Sequence, residues 1–478
     1  MKPNIVLIMC DDLGYGDVGF NGATPIQTPH LDALAEKSVC MTRFYAGGPV
    51  CSPTRGTCLT GRHYIRYGIN HANQGRLPVQ EITLASICRG QGYATGHFGK
   101  WHLGTLTREE GDGNRGGGDP RLYSPPWLHG FDTCFSTESK VPTWDPMRTP
   151  DEQNPNGSYR WGEPGTPFGT AYWNDRGERV TDNLEGCDCR VIMDRAEPFI
   201  REAVEEENPF LSVIWFHAPH TPVVAGPEWL DLYPDCSEEE RHYYGCVSAM
   251  DAQVGRLTCL LDELGVTENT LIWFCSDNGP EGRGDLQGGG RNQGQTGGLR
   301  GRKRSLYEGG VGVPTLIHWP AGLPQGERRT VPGSTLDMLQ TCCAAMGTEP
   351  PDSRPLDGIN LLPLLQDEAA QRDKPIPYRF LCGKDAMFGS PTFAVTDGKW
   401  KFLTNLDKDG SFDQLYDMET DRGERCNRIG DFPGLGEQYR AYLETFLTSC
   451  RASHSGDDYD ETVDMVTPFQ EERDWRRA

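Results

Sequence analysis

No stretch of this 478-residue chain stays apolar over the length needed to cross a bilayer. The start has no signal-peptide pattern, because Lys2 and Pro3 run straight into a buried-looking strand. As written the chain reads as cytoplasmic, or as periplasmic or secreted if a leader was exchanged for Met1. Positive charge is short as well: 46 Lys and Arg face 69 Asp and Glu, a formal net charge of −23. That balance argues against nucleic acid or an anionic membrane as partner, and it makes any local basic cluster conspicuous. Cysteine is plentiful at 17 residues, but zinc spacing is missing, since neither Cys187-x-Cys189 nor Cys342-Cys343 is a CxxC pair. Packed, reduced thiols are the expectation. The Gly-rich stretch 111–118 has no strand before it and no helix after it, which excludes a nucleotide fingerprint. No internal repeat is present.

What the chain does have is organised around Pro49 to Arg62, PVCSPTRGTCLTGR. Pro53 suits the first position of a helix and Ser52 its N-cap, so the spacing predicts a helix over 54–60 ended by Gly61. Cys51 then falls just outside a helix N-terminus, where orphan N–H groups favour negative charge, and Arg55 can fold back to the same spot. Two readings fit this cysteine locally: a small buried residue, or a thiolate of lowered pKa.

Four apolar runs read as strands buried on both faces of a parallel sheet, and each ends in reactive residues. Asn4 to Met9 leads to Asp11-Asp12; Tyr93 to Phe98 leads to Lys100 and His102; Pro209 to Phe216 leads to His217 and His220; Thr270 to Cys275 leads to Asp277-Asn278. Open parallel sheets bind ligands outside the carboxyl ends of their strands. Asp11, Asp12, Asp277 and Asn278 offer only hard oxygen donors, pointing to Ca²⁺ or Mg²⁺. Arg291, Arg300, Arg302, Lys303 and Arg304 form a run without a carboxylate, a local anion signal in so acidic a chain. After Pro375 the texture turns to short antiparallel strands broken at Asp-Gly and Asn/Asp turns, then a terminal helix over 436–450 and an acidic tail.

In order and spacing, MxDDLGYGD, PxCSPTRxxxLTGR, GYATxxFGKWHLG, HGFD, HAPHTP, SDNGP, KxSLYEGGxxVP and LYDMxxD resemble the segments of type I sulfatases. The resemblance implies an α/β, alkaline-phosphatase-like fold: a large, mostly parallel sheet flanked by helices over residues 1–375, then a small antiparallel sheet with a helix over 376–478. It implies that Cys51 is oxidised to formylglycine by a maturation enzyme. It also implies that Asp11, Asp12, Asp277, Asn278 and residue 51 bind Ca²⁺, with Mg²⁺ the alternative ion, and that Arg55, Lys100, His102, His220 and Lys303 complete the catalytic site. Two positions depart from the family pattern: Gly312, where many relatives carry Arg, and Arg304, where Gly is common.

The segment Tyr123 to Trp173 matches no general family motif and is rich in aromatics, among them Trp127, Trp144, Tyr159, Trp161, Tyr172 and Trp173. It predicts either a sugar-binding wall or a long insertion held by its own aromatics. A sulfated carbohydrate is the expected substrate. The alternatives are small aryl sulfates, a phosphoester or phosphonate substrate of the same superfamily, or a sulfated-glycan-binding protein whose Cys51 stays a thiol.

Overall fold

The computed structural model describes residues 2–22, 24–112, 115, 119–154, 156–282, 290–381, 389–406 and 410–470. Most of the Gly-rich stretch 111–118 and the end of the acidic tail lie outside the described residues.

The central strand, Asn4–Cys10, is buried along its whole length. Alternate residues face opposite sides of a strand, and here Ile5, Leu7 and Met9 enter one core while Val6, Ile8 and Cys10 enter the other. That double burial is why the run is apolar throughout and does not alternate. Asn4–Cys10 pairs in parallel with Thr270–Ser276 and Phe210–Trp215; Ala94–Lys100 and then Thr133–Thr137 extend the parallel block. Antiparallel Tyr172–Asn174 and Arg179–Val180 finish one edge. At the other, Leu316–His318 runs antiparallel, followed by Val39–Met41 and Glu327–Arg329, for ten strands in all.

Register fixes the site. Cys10 pairs with Ser276, Met9 and Gly99 both pair with Trp215, and Lys100 pairs with Thr137. The carboxyl ends of five strands therefore stop in one row. Helices cover both faces: Cys51–Thr60, Leu84–Gly90 and Met338–Met346 contribute to one core, and Asp188–Glu205 and Glu238–Glu263 to the other. Glu238–Glu263 starts five residues before the apolar pattern does, because Ser237 and Glu240 form a reciprocal capping box. Asp251 on that helix is buried and accepts from the N–H groups of His30 and Leu31, at 3.1 and 2.7 Å, so it caps the Pro29–Ala35 helix from outside.

The smaller sheet, Ile376–Arg379, Phe393–Thr396, Trp400–Thr404 and Gln414–Asp417, is antiparallel in chain order. Phe393, Val395, Phe402 and Leu415 pack on Tyr439 and Leu443 of the Pro433–His454 helix. The opposite face, with Ala394, Leu403 and Tyr416, packs on Tyr45 of a separate short strand, on Leu306 and on Val311 of the Glu308–Val311 helix. A buried ionic network pins that junction. Lys401 Nζ lies 2.9 Å from Glu308 and 3.1 Å from Glu424, while Arg422 Nε reaches Glu308 at 3.2 Å. Removing one member leaves the others charged and out of water, so Lys401→Met should cost about 3–5 kcal/mol in denaturant unfolding. A loss below about 1 kcal/mol would show that the apolar contacts alone hold the sheets together.

Candidate active site

Cys51 is the first residue of the Cys51–Thr60 helix and is buried. The expected Ser52 cap is not made. Val50 is the N-cap without a side-chain bond, and the Ser52 hydroxyl turns away to the carbonyls of Ala72 and His102. The reason is tertiary: Arg115, which no sequence motif marks, donates to Ser52 Oγ at 3.2 Å, to the His102 carbonyl at 2.9 Å and to Glu138 at 2.6 Å. The thiol of Cys51 donates to Asp11 Oδ1 at 3.3 Å. Burial, then the charges of Asp11 and Asp277, push this thiol well above its ordinary pKa, against Lys100 and Lys303. An activated thiolate is thus the reading the geometry disfavours.

Around Cys51 the remaining residues converge. Arg55, wholly buried over the Trp215 ring, ion-pairs with Asp277 at 2.8 Å and Asp11 at 3.4 Å and donates to the Lys100 carbonyl at 3.0 Å. Lys100, the last residue of its strand, holds Asp11 in a short ion pair. Lys303 sits 2.7 Å from Asp12 and 3.8 Å from Glu281. His220 Nδ1 donates to the Thr221 carbonyl at 2.6 Å, and its Nε2 faces Asp12 at 3.7 Å. His102 Nε2 bonds Asn73 Oδ1 at 2.9 Å, leaving Nδ1 buried and without a partner. Burial, aided by nearby Lys100, holds the His102 imidazole well below its usual pKa; burial likewise keeps His220 neutral. Asp12 and His102 both adopt positive φ, 67° and 57°, a conformation that non-glycine residues take mainly where the surroundings enforce it.

Three carboxylates crowd this spot. Lys100, Arg55 and Lys303 hold Asp11 low despite its burial. Burial and the neighbouring Asp11, Glu281 and Asp277 push Asp12 up to about 7 even with Lys303 beside it. Asp12 is thus the least compensated of the three, and the donors around it fit a further cation. Oxygens of Asp11 and Asp12, the Cys51 sulfur and a nitrogen of His220 lie within 4.8 Å of one another. Asn278 donates to Asp12 at 2.7 Å through its amide nitrogen, so its Oδ1 is left buried and unpartnered, aimed as an acceptor with nothing to accept. Gly279 next to it has no alternative, since a Cβ there would lie 1.9 Å from the Gly309 carbonyl.

Some expected residues go elsewhere. Of the basic run, only Lys303 among the described residues pairs with Asp11, Asp12 or Asp277: Arg291 binds the Val223 and Asp151 carbonyls, Arg300 the Tyr416 hydroxyl and the Glu424 carbonyl, and Arg302 the Glu281 and Gly294 carbonyls. Arg304 pairs with Glu281. His217 is a strut, bonded to Asp188 at 2.8 Å and Thr137 at 2.7 Å. Beside Gly312, Arg422 brings its guanidinium to within 3.5 Å of where a Cβ would stand, so positive charge reaches that place from the smaller sheet. The aromatic segment is largely structural. Tyr172 and Trp173 are strand residues of the large sheet, Trp144 packs against Gly226, and the Trp161 N–H is taken by Glu152.

The order of strands, the row of carboxyl ends and the small antiparallel sheet define the alkaline-phosphatase-like fold. The Sulfatase family profile matches residues 3–348, and the profile for N-sulphoglucosamine sulphohydrolase, C-terminal, matches 301–447. The chain belongs to the Sulfatase family and is a sulfuric ester hydrolase. It is 32% identical over 427 residues to steryl-sulfatase of Rattus norvegicus, covering 76% of this chain and 70% of that one. It is 31% identical over 416 residues to N-acetylgalactosamine-6-sulfatase of Sus scrofa, covering 84% and 71%. Among solved structures it is similar to Ps i-CgsB in complex with k-i-k-neocarrahexaose, with a TM-score of 0.77, 27% identity and coverage of 97% and 96%. The family uses a metal and formylglycine. Among the described residues no helix is long and apolar enough to cross a membrane.

Proposed function

We propose that this sulfatase releases sulfate from a sulfated carbohydrate, with residue 51 as formylglycine and Ca²⁺ held by Asp11, Asp12, Asp277 and Asn278. The observation that carries the site assignment is the balance of charge around Cys51. Three carboxylates, Asp11, Asp12 and Asp277, are matched by three fixed cations, Arg55, Lys100 and Lys303, so a divalent cation and a sulfate ester enter together without leaving either sign in large excess. The oxygen donors favour Ca²⁺, with Mg²⁺ the alternative.

Formylglycine, made from Cys51 by a maturation enzyme, supplies a hydrated aldehyde as a nucleophile that can be regenerated. A cation held by these oxygen donors would supply a Lewis acid for the ester. The chain's own side chains do the rest. Lys100 and Lys303, freed from the aspartates, hold the sulfate oxygens and offset the charge that develops on them. Arg55 fixes Asp11 and Asp277 in place through its two ion pairs. His102, neutral and with Nδ1 unpartnered, is the proton acceptor at residue 51, and its tautomer is set by Asn73 on Nε2. For the leaving alcohol the geometry favours Lys303 over His220. The Nδ1 proton of His220 is given to Thr221, leaving no proton on Nε2 in the neutral ring, whereas the Lys303 ammonium has protons to give.

The carbohydrate assignment is supported by relatives acting on N-acetylgalactosamine sulfate and holding a carrageenan oligosaccharide. Side-by-side rates test it: kcat/KM on a sulfated monosaccharide should exceed that on the matching phosphate ester and on a small aryl sulfate. A preference for the aryl sulfate would overturn the carbohydrate reading, and a preference for phosphate would overturn the sulfatase site assignment.

A further inference from the structure

The segment after the Thr133–Thr137 strand runs along the site. Thr137 and Glu138 offer their carbonyls to the N–H groups of Trp101 and His102, each at 2.9 Å, directly after Lys100 pairs with Thr137. Ser139 follows, buried, with a hydroxyl that has no hydrogen-bond partner among the described residues. Lys140 comes next, half-buried, its ammonium 5.2 Å from the centre of the Trp161 ring. Trp161 is held in turn by Glu152 on its N–H and by Arg160, whose guanidinium lies 5.1 Å from the ring centre. The aromatic is therefore a support for a cation, and a saccharide ring would have to displace that cation to stack there.

Lys140 differs from the other lysines of the site. Lys100 and Lys303 each rest on an aspartate, whereas among the described residues no carboxylate lies within ion-pair distance of Lys140. The charges that bear on it are positive, Lys100, Lys303 and Arg160, and together with burial they lower its pKa. A half-buried ammonium among like charges is unfavourable until an anion arrives. The scissile sulfate is already served by two lysines, so a third, reached from a different segment, has charge left for another group.

Resting on the sulfatase reading above, we propose that Lys140, with the hydroxyl of Ser139, binds a second anionic group of the saccharide, a carboxylate or another sulfate ester, next to the scissile sulfate. The enzyme then selects multiply charged glycans over singly sulfated ones.

The test uses the full chain with residue 51 shown by peptide mass to be matured, as wild type, Lys140→Ala and Lys140→Arg. Three substrates are compared: a singly sulfated monosaccharide, a sulfated disaccharide carrying a uronate carboxylate, and a disulfated disaccharide. Losing a charge-assisted contact of this kind costs roughly 10- to 100-fold. Lys140→Ala should raise KM by that factor on one or both doubly charged substrates, change the singly sulfated one less than about twofold, and be largely rescued by Lys140→Arg. Loss confined to the uronate substrate identifies a carboxylate ligand, and loss confined to the disulfated one identifies a sulfate. Equal losses on all three would overturn the proposal in favour of contact with the scissile sulfate or simple support of the loop. Unchanged KM on all three would overturn it in favour of a solvated lysine. Failure of the matured wild type to release sulfate from any ester overturns the underlying reading, and that outcome is visible before any variant is made.

Discussion

Cys51→Ala should lower kcat for sulfate ester hydrolysis by about 10⁴-fold or more, with the fold intact. The side chain is small and buried, and its one hydrogen bond is the weak donation from sulfur to Asp11, so alanine leaves little unsatisfied. Thermal unfolding should therefore move by only a few degrees while activity vanishes. Cys51→Ser should be as inactive in any host whose maturation enzyme oxidises only cysteine. A serine sulfate has no second hydroxyl on the same carbon with which to expel the group, so one turnover would end the reaction. Near-wild-type sulfate release from purified Cys51→Ala would remove residue 51 from the chemistry.

Asp277→Ala should combine two losses. Bound metal, measured by elemental analysis, should fall from about one ion per chain towards zero, because one of three hard carboxylates is gone. Stability should also drop by about 3–5 kcal/mol, since Arg55, wholly buried, loses its 2.8 Å partner. Asp277→Asn separates the effects: the amide oxygen can still accept from Arg55, so more stability survives, while the loss of charge still weakens the metal. Unchanged metal content in Asp277→Ala would break the assignment of ligands.

The parallel core was legible in the sequence because double burial writes itself as unbroken apolar runs, and Asn4–Cys10 is the clearest case. The candidates Asp11, Asp12, Lys100, His102, Asp277 and Asn278 stand out because each follows such a run, where register brings the strand ends into one row; Cys51 and Arg55 on a helix and Lys303 in a loop stand out only by motif. What could not be read is what depends on contacts across the chain. Ser52 looks like a cap by local rule, but Arg115, more than sixty positions away, draws its hydroxyl elsewhere. The basic run 291–304 looks like an anion site by composition, yet Arg291, Arg300 and Arg302 are consumed by backbone carbonyls. Asn73 carries no local signal at all. Its role exists only because His102, on another strand end, presents Nε2 to it. The aromatics of 123–173 look alike as letters and separate only in three dimensions, into sheet residues such as Tyr172 and a cation support, Trp161.

The most direct test of the account is the mass of the Cys51-containing peptide from a preparation of known specific activity. Activity is predicted to track the fraction of that peptide found as the aldehyde, which is lighter than the thiol, across preparations made with and without the maturation enzyme. Full sulfate release from protein in which every Cys51 peptide retains its thiol would contradict it.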